Sequence, residues 1–165
     1  MEMNDLQDLF IEELKDLYSA EKQLLKALPR VVKAVENPEL KNALQNHVRE
    51  TEGHVQRLEQ IFDRLGTSGR GKKCKGMEGL IEENKEMLGE DAQPEVLDAG
   101  IIVGAQKVEH YEIAGYGSAV TFAKLLGDQE SANLLAQTLD EEERTDKLLT
   151  QIAESSINVQ AAHGA

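Results

Sequence analysis

The sequence predicts an all-α protein built as a four-helix bundle. Leu, Ala, Glu and Lys dominate its 165 residues, and only three prolines occur among these strong helix formers. Apolar residues recur at the spacing of three and four that is typical of amphipathic helices, and no long run alternates with the period of a β-strand. A chain of this length has room for one domain with a single core.

Local start and stop signals divide the chain into four long helices and one short helix. The predicted elements, in chain order, are residues 4–28, 38–65, 77–88, 94–126 and 129–155. Pro29 is expected to end or kink the first helix. Asn37 and Pro38 form a helix start, and Gly66 forms a helix stop. We therefore expect a bundle over residues 1–155 and a flexible tail over residues 156–165.

The lengths of the connections predict how these helices are arranged. About ten residues join the first two long helices and about three join the last two, so each pair should form an antiparallel hairpin. The middle connection contains a loop rich in Gly and Lys, residues 67–76, followed by the short helix. It is long enough to cross the length of the bundle. Two hairpins joined by one long crossover is the layout of ferritin-like bundles.

Composition excludes several classes of function. A net charge of -13 argues against binding to nucleic acid or to an anionic membrane surface. No apolar run approaches the roughly 20 residues that a membrane span needs, and the acidic amino terminus does not resemble a signal peptide. Cys74 is the single cysteine, which excludes an internal disulfide and suits a reducing compartment; we expect it to be exposed. These features predict a cytoplasmic protein.

Acidic residues interrupt the apolar stripe of each long helix. A carboxylate that faces a bundle core is costly unless a positive partner neutralises it, and the stripes contain too few Lys and Arg residues for that purpose. Residues three or four apart share one helix face, and the helix rise places the acids of all four helices near the same height. They can therefore meet at one interior point. The candidates are Glu21, Glu50, His54, Glu109, Glu112, Glu142 and Asp146.

Carboxylate oxygens with an imidazole suit iron or manganese better than a structural zinc ion, so two Fe ions, or Mn, are the expected occupants. Each residue also has a simpler interpretation. Glu21 alone could pair with a neighbouring lysine, and His54 alone could be a hydrogen-bonded core residue. Glu143 competes with Glu142, which we favour because it lies on the apolar stripe of its helix. His47 is expected near the site or at an interface rather than as a ligand.

Five segments of the chain closely resemble the bacterial YciE/YciF-type ferritin-like proteins. They are YSAE at 18–21, ETEGHV at 50–55, MEGLIEE at 77–83, QKVEHYEI at 106–113 and EEERTD at 141–146. The resemblance extends from the first helix to about Ile152. It implies a ferritin-like bundle, a homodimer and an association with stress response. The Glu-x-x-Glu of Glu109 and Glu112 is also similar to that of rubrerythrins, which are di-iron peroxidases. The resemblance implies metal ligands at the seven candidate positions.

The chain departs from the usual ferritin-like pattern of two Glu-x-x-His motifs. Glu50 and His54 are four residues apart, and Asp146 occupies a position where a histidine is expected. Six carboxylates also carry more negative charge than two ferrous ions would balance. In the expected arrangement Glu50 and Glu142 bridge the metals, and the other five residues complete the shell.

Two classes of function agree with these features. The first is a di-iron, or iron/manganese, oxidoreductase that reduces peroxide or dioxygen or oxidises ferrous iron during stress. Because the chain has no cysteine pair, such an enzyme would need an external electron donor. The second is a non-catalytic helical stress protein that acts as a dimeric binding or structural module. A ferritin-type storage cage is a third, weaker alternative, which particle size would distinguish.

Overall fold

The computed structural model describes residues 3–163, and their regular secondary structure is entirely helical. The elements are α1 (Leu6–Ala34), α2 (Pro38–Leu65), α3 (Lys75–Leu88), α4 (Pro94–Leu125), α5 (Gln129–Ile152), a π-helical turn (Ala153–Ile157) and α6 (Asn158–His163). Helices α1 and α5 each pack against both α2 and α4, while α3 packs against α1 and α4. The structure confirms the predicted four-helix bundle, with α3 in the long crossover.

Most of the predicted helix ends are confirmed by capping interactions. The Asn37 side chain accepts hydrogen bonds from two backbone N–H groups of the first turn of α2, and Gly66 ends that helix in the left-handed conformation, with φ of 61°. Asp128 caps α5 by accepting a hydrogen bond from the backbone of Ser131. The cap of α1 is Asp5, so this helix begins at Leu6 rather than at the predicted residue 4. Capping contacts within one helical turn therefore fix these boundaries.

The structure corrects two predicted boundaries. Pro29 does not end α1, which continues to Ala34 because residues on both sides of the proline pack into the core. At the other end of the chain, the predicted flexible tail of residues 156–165 is helical as far as His163. Ile157, which is only 1% exposed, packs into the core and anchors this segment. The last two residues of the predicted tail lie outside the described residues.

Two large apolar clusters occupy the two halves of the bundle. The first contains Phe10, Leu14, Leu17, Leu58, Ile61, Tyr116 and Leu135. The second contains Val35, Leu40, Leu44, Ile101, Ile102, Leu149 and Ile152. Along each of the four bundle helices, buried polar residues separate the parts that belong to the two clusters. The bundle therefore holds a polar layer near its middle. In the part of the chain that the structure describes, no helix is both long and apolar enough to cross a bilayer.

Helix α3 approaches the bundle closely at a glycine. A Cβ atom added at Gly76 would lie 2.6 Å from Cε2 and 3.0 Å from Cζ of Tyr111. The Tyr111 ring cannot move away easily, because its hydroxyl donates a 2.6 Å hydrogen bond to Asp16 on α1. Gly76 therefore permits the contact between α3 and α4.

This contact predicts opposite effects for two glycine substitutions in α3. Gly76→Ala is expected to lower the free energy of unfolding by about 1–3 kcal/mol, because the methyl group clashes with a fixed ring. Gly79→Ala, the matched control, meets no atom within 4 Å and should raise it by about 0.5–1 kcal/mol through helix propensity. Urea denaturation of both variants measures the difference. Equal stabilities would show that the contact with Tyr111 is not tight.

Candidate metal centre

Six buried ionisable side chains meet in the polar layer of the bundle. Glu21 comes from α1, His47 and His54 from α2, Glu109 and Glu112 from α4, and Glu142 from α5; each is at most 3% exposed. Their ligand atoms form two groups, within which all atoms lie within 4.8 Å of one another. The first group is Glu21, His54 and Glu142, and the second is His47, Glu109, Glu112 and Glu142. Glu142 belongs to both groups and therefore connects them.

His54 is held in place from its outer side. Its Nε2 atom donates a hydrogen bond of 2.9 Å to Oε2 of Glu141, and Arg57 holds the same carboxylate through two hydrogen bonds of 2.7 and 2.8 Å. The other ring nitrogen, Nδ1, lies 3.1 Å from Oε1 of Glu21 and 2.8 Å from Oε1 of Glu142. Glu141 thus orients the ring so that Nδ1 faces the first group.

His47 is the histidine of the second group, as His54 is of the first. Its Nε2 atom lies 3.1 Å from Oε1 of Glu109, but neither ring nitrogen has a partner with hydrogen-bond geometry. The hydroxyl of Tyr116 donates a hydrogen bond of 2.5 Å to Oε1 of Glu21. Tyr116 is fully buried, so this hydroxyl is held against the cluster without access to solvent.

The cluster contains most of the buried polar atoms that lack a hydrogen-bond partner. Among the described residues, these atoms are Oε2 of Glu21, Nδ1 and Nε2 of His47, Oγ1 of Thr51, Nδ1 of His54, Oε2 of Glu109, and both carboxylate oxygens of Glu112 and of Glu142. An unsatisfied buried polar group costs about 1–3 kcal/mol, and native proteins retain few of them. Their concentration around one point, on atoms that can all bind cations, indicates that this layer can hold metal ions.

Burial and the charges of the neighbouring side chains shift the pKa values of several residues in the cluster. Burial, together with the nearby carboxylate of Glu142, holds the pKa of Glu109 well above its ordinary value; burial and the carboxylates of Glu21 and Glu142 do the same to the pKa of Glu112. Burial alone would lower the pKa of His54, but Glu21 and Glu142 outweigh it and raise this pKa to about 10. Burial also opposes ionisation of Glu142, yet its close side-chain contacts with Glu109 and His54 lower its pKa to about 2. Without a cation, protons therefore offset much of the negative charge.

The structure brings five of the seven candidate residues together and leaves two outside. Glu50 is 32% exposed and contacts Arg144 and Thr145 of α5, at 3.4 and 3.3 Å. Asp146 accepts a hydrogen bond of 3.2 Å from Gln106 and lies 3.2 Å from Nε2 of His110. Neither carboxylate belongs to the two groups of ligand atoms. In this arrangement Glu50 does not lie where it could bridge the two groups.

The orientation of α2 and α5 about their own axes explains why Glu50 and Asp146 lie outside the cluster. The centre of the buried stripe of α2 passes through His47, Thr51 and His54, so Glu50 lies at its edge. In α5 the buried stripe includes Glu142, Thr145 and Leu149, which leaves Asp146 at the edge. Glu142, and not Glu143, is the buried residue of the acidic run, as favoured from the sequence.

His47 is the cluster residue that sequence reasoning placed outside the ligand set. A usable signal was present, because His47 and His54 are seven residues apart and continue the heptad spacing of Leu40, Leu44 and Leu58. The expectation for Cys74 was also wrong. This residue is fully buried and caps α3, and its sulfur atom lies 3.1 Å from Oδ2 of Asp16. Burial raises the pKa of the Cys74 thiol, which disfavours the reactive thiolate.

Comparison with known proteins gives one family. The chain is 43% identical to Protein YciF of Escherichia coli (strain K12) over the full length of both proteins. The crystal structure of that E. coli stress protein matches with a TM-score of 0.91, covering 96% of this chain and 100% of the other. YcfI, a candidate structural protein from Rhodopseudomonas palustris, matches with a TM-score of 0.87 at 39% identity, covering 90% of this chain and 95% of its own.

A third structure, protein XCC3681 from Xanthomonas campestris, has a TM-score of 0.73 at 22% identity, covers 94% of this chain and 95% of its own, and shows the fold alone. Residues 5–162 match the family described as "Domain of unknown function (DUF892)". The resemblance to YciF-type proteins seen in the sequence is confirmed. The chain therefore belongs to the DUF892 family, which its full-length similarity to YciF independently supports.

Proposed function

We propose that this chain is a ferritin-like di-iron, or iron/manganese, carboxylate protein. The observation that carries the proposal is the group of buried, unpartnered carboxylate oxygens and imidazole nitrogens contributed by all four bundle helices. Glu21 and His54 would hold one ion, and His47, Glu109 and Glu112 would hold the other. Glu142 would bridge them, because it belongs to both groups. An oxygen-rich set with two imidazoles and no thiolate suits iron or manganese.

The charge of the proposed ligand set supports this assignment. Four carboxylates and two neutral imidazoles balance two divalent cations, whereas the six carboxylates expected from the sequence would have exceeded them. The proposed ligand set contains His47 and leaves out Glu50 and Asp146, so its negative charge no longer exceeds the charge of two divalent cations. Because six side chains cannot complete the shells of two ions, coordination positions would stay open for an oxidant.

The proposed activity is the reduction of peroxide or dioxygen, or the oxidation of ferrous iron. When held by these residues, two ferrous ions would supply the two electrons which, together with two protons from solvent, convert one hydrogen peroxide molecule into two waters. The chain positions this chemistry in an apolar interior, where Tyr116 holds a proton next to Glu21. Burial and the carboxylate of Glu21 raise the pKa of Tyr116, which favours its protonated form. Repeated turnover would need an external reductant, since the sequence has a single cysteine.

Metal content and turnover together test this function. After anaerobic addition of ferrous iron and removal of the excess, elemental analysis should find two ions per chain, and stopped-flow mixing should consume one peroxide per two ferrous ions. The E. coli relative YciF is a stress protein, which supports a role of this chain under stress. A chain that refuses both Fe²⁺ and Mn²⁺ would contradict the proposal and favour a non-catalytic bundle.

The hydrogen bond between His54 and Glu141 predicts that Glu141 affects metal affinity without binding the metal itself. Glu141→Ala is expected to weaken binding of the metal held by His54 by about 10–100-fold, because the ring loses the partner that orients it. Glu143→Ala is the matched control, since it removes an adjacent carboxylate that lies outside the cluster. Competition with a fluorescent chelator measures both affinities. Equal affinities for the two variants would show that Glu141 does not orient the ligand.

A further inference from the structure

A cavity of about 270 Å³ lies beside the metal centre, between α3 and the bundle. Helix α3 covers it with Ile81 and Leu88. Helices α1, α2 and α4 contribute mainly aliphatic side chains, such as Leu28, Leu44 and Ile101. Apolar walls of this kind favour an apolar ligand over water. The cavity is therefore suited to an aliphatic or aromatic group.

The inner end of this cavity is formed by two residues of the metal centre. His47 and Glu109 line it, and they are 3% and 1% exposed. Both ring nitrogens of His47 and Oε2 of Glu109 lack hydrogen-bond partners among the described residues. Because these two residues form the inner wall, a ligand that fills the cavity would place one end next to His47 and Glu109.

The outer end is basic. Lys26, Arg30 and Lys85 line the cavity and are exposed, so their charged groups lie where it meets solvent. Within residues 3–163, no carboxylate lies within 4 Å of Lys26 or Arg30, whereas Lys85 pairs with Glu82 at 3.2 Å. In a chain with a net charge of -13, three basic residues around one opening form a local anion-attracting site.

We propose that this cavity binds a medium-length aliphatic monocarboxylate, with its carboxylate at Lys26 and Arg30 and its apolar end towards His47 and Glu109. The volume is almost twice that of the engineered cavity of about 150 Å³ that holds benzene, so it accommodates about ten non-hydrogen atoms. A role of this ligand as the substrate rests on the function proposed above. Its binding does not, because the walls and the basic opening exist without metal.

Octanoate is the probe, and calorimetric titration of the metal-free, full-length chain is the measurement. Saturable binding with one site per chain is expected. Ala27→Phe, which fills the cavity from α1, should weaken it at least tenfold, whereas Ala114→Phe, an exposed position outside the cavity, should not. Circular dichroism verifies that both variants are folded. Absence of saturable binding, or equal affinity in the two variants, overturns the proposal.

The charge requirement is tested by a second pair of variants. Arg30→Glu should weaken octanoate binding by about fivefold, as expected for a solvated ion pair. Lys33→Glu reverses an exposed charge on the same helix outside the cavity and should leave the affinity unchanged. The alcohol 1-octanol should bind more weakly than octanoate and be insensitive to Arg30→Glu. Equal affinities for the acid and the alcohol overturn the choice of a carboxylate.

Nuclear magnetic resonance tests the orientation and separates this proposal from the metal proposal. In the metal-free protein, octanoate should shift the ring resonances of His47. With Mn²⁺ bound, the terminal methyl protons of octanoate should relax faster than those beside its carboxylate, and the reverse order overturns the orientation. Octanoate binding to a chain that takes up no metal would support the proposed ligand cavity and contradict the proposed metal site. Metal uptake without octanoate binding would overturn the cavity alone.

Discussion

Glu142→Ala is expected to abolish binding of both metal ions, whereas Glu50→Ala is expected to retain two ions per chain. Glu142 lies in both groups of ligand atoms, so its removal opens both coordination shells at once. Glu50 instead contacts Arg144 and Thr145 at the edge of the bundle. The two substitutions are matched in size and charge. They differ in burial and in whether the carboxylate faces the polar layer.

Anaerobic titration with Fe²⁺ or Mn²⁺, followed by elemental analysis, measures both variants against the unsubstituted chain. Because Glu142 contacts His54 in the metal-free protein, the fold of Glu142→Ala must be verified by circular dichroism. If the alanine variant unfolds, the metal content of Glu142→Gln, which preserves the shape of the side chain, tests the same expectation. Two ions retained by a folded Glu142 variant, or lost from Glu50→Ala, would contradict the proposed ligand set.

The fold could be predicted closely because its signals are local. Asn37, Gly66 and Asp128 each determine a helix end through contacts within one turn, and the long middle connection determines the crossover. Pro29 shows the limit of this reasoning. The lost hydrogen bond is a local effect, but packing of the residues after the proline is a tertiary one, and the tertiary effect prevails.

The candidate site was predictable in height along the bundle but not in rotation about each helix. His47, Glu50 and His54 all lie within one apolar stripe, and adjacent residues of a helix differ by about 100° in direction. Only packing against the other helices decides which part of the stripe faces inward. The burial of Cys74 has a similar origin, since Asp16 and Tyr111 contact it from other helices.

Metal loading is expected to reverse the pH dependence of stability. In the metal-free chain, Glu109 and Glu112 have raised pKa values, and the pKa of His54 rises from 6.5 to about 10. Groups with raised pKa values bind more protons when folded, so their contribution is present at low pH and decreases as pH rises through the folded pKa. Between pH 6.5 and pH 9, His54 alone should lower the free energy of unfolding by about 3 kcal/mol.

Stability of the metal-free chain should therefore be greatest near pH 4.5, the ordinary pKa of a glutamate, because the contributions of Glu109 and Glu112 decrease above that pH. At lower pH, protonation of Glu142, whose pKa is about 2 in the folded state, removes a contribution that is fully present above its ordinary pKa of 4.5. The metal-loaded chain should behave differently between pH 6 and pH 8.5. Its ligands must lose their protons to bind the cations, so metal affinity and stability increase with pH. At a free metal concentration of about 1,000 times the Kd, this stabilisation reaches about 4 kcal/mol.

Urea denaturation at pH 6 and pH 8.5, with either Mn²⁺ or a chelator present, measures both slopes on one protein. The slopes should have opposite signs, and adding excess chelator to the metal-loaded sample should restore the metal-free values. Because Glu109, Glu112 and His54 hold protons in the metal-free chain and belong to the cluster that would bind the metal, a single cluster accounts for both signs. Parallel slopes under the two conditions would mean that Mn²⁺ does not enter the polar layer, and the buried carboxylates would then serve a metal-free bundle.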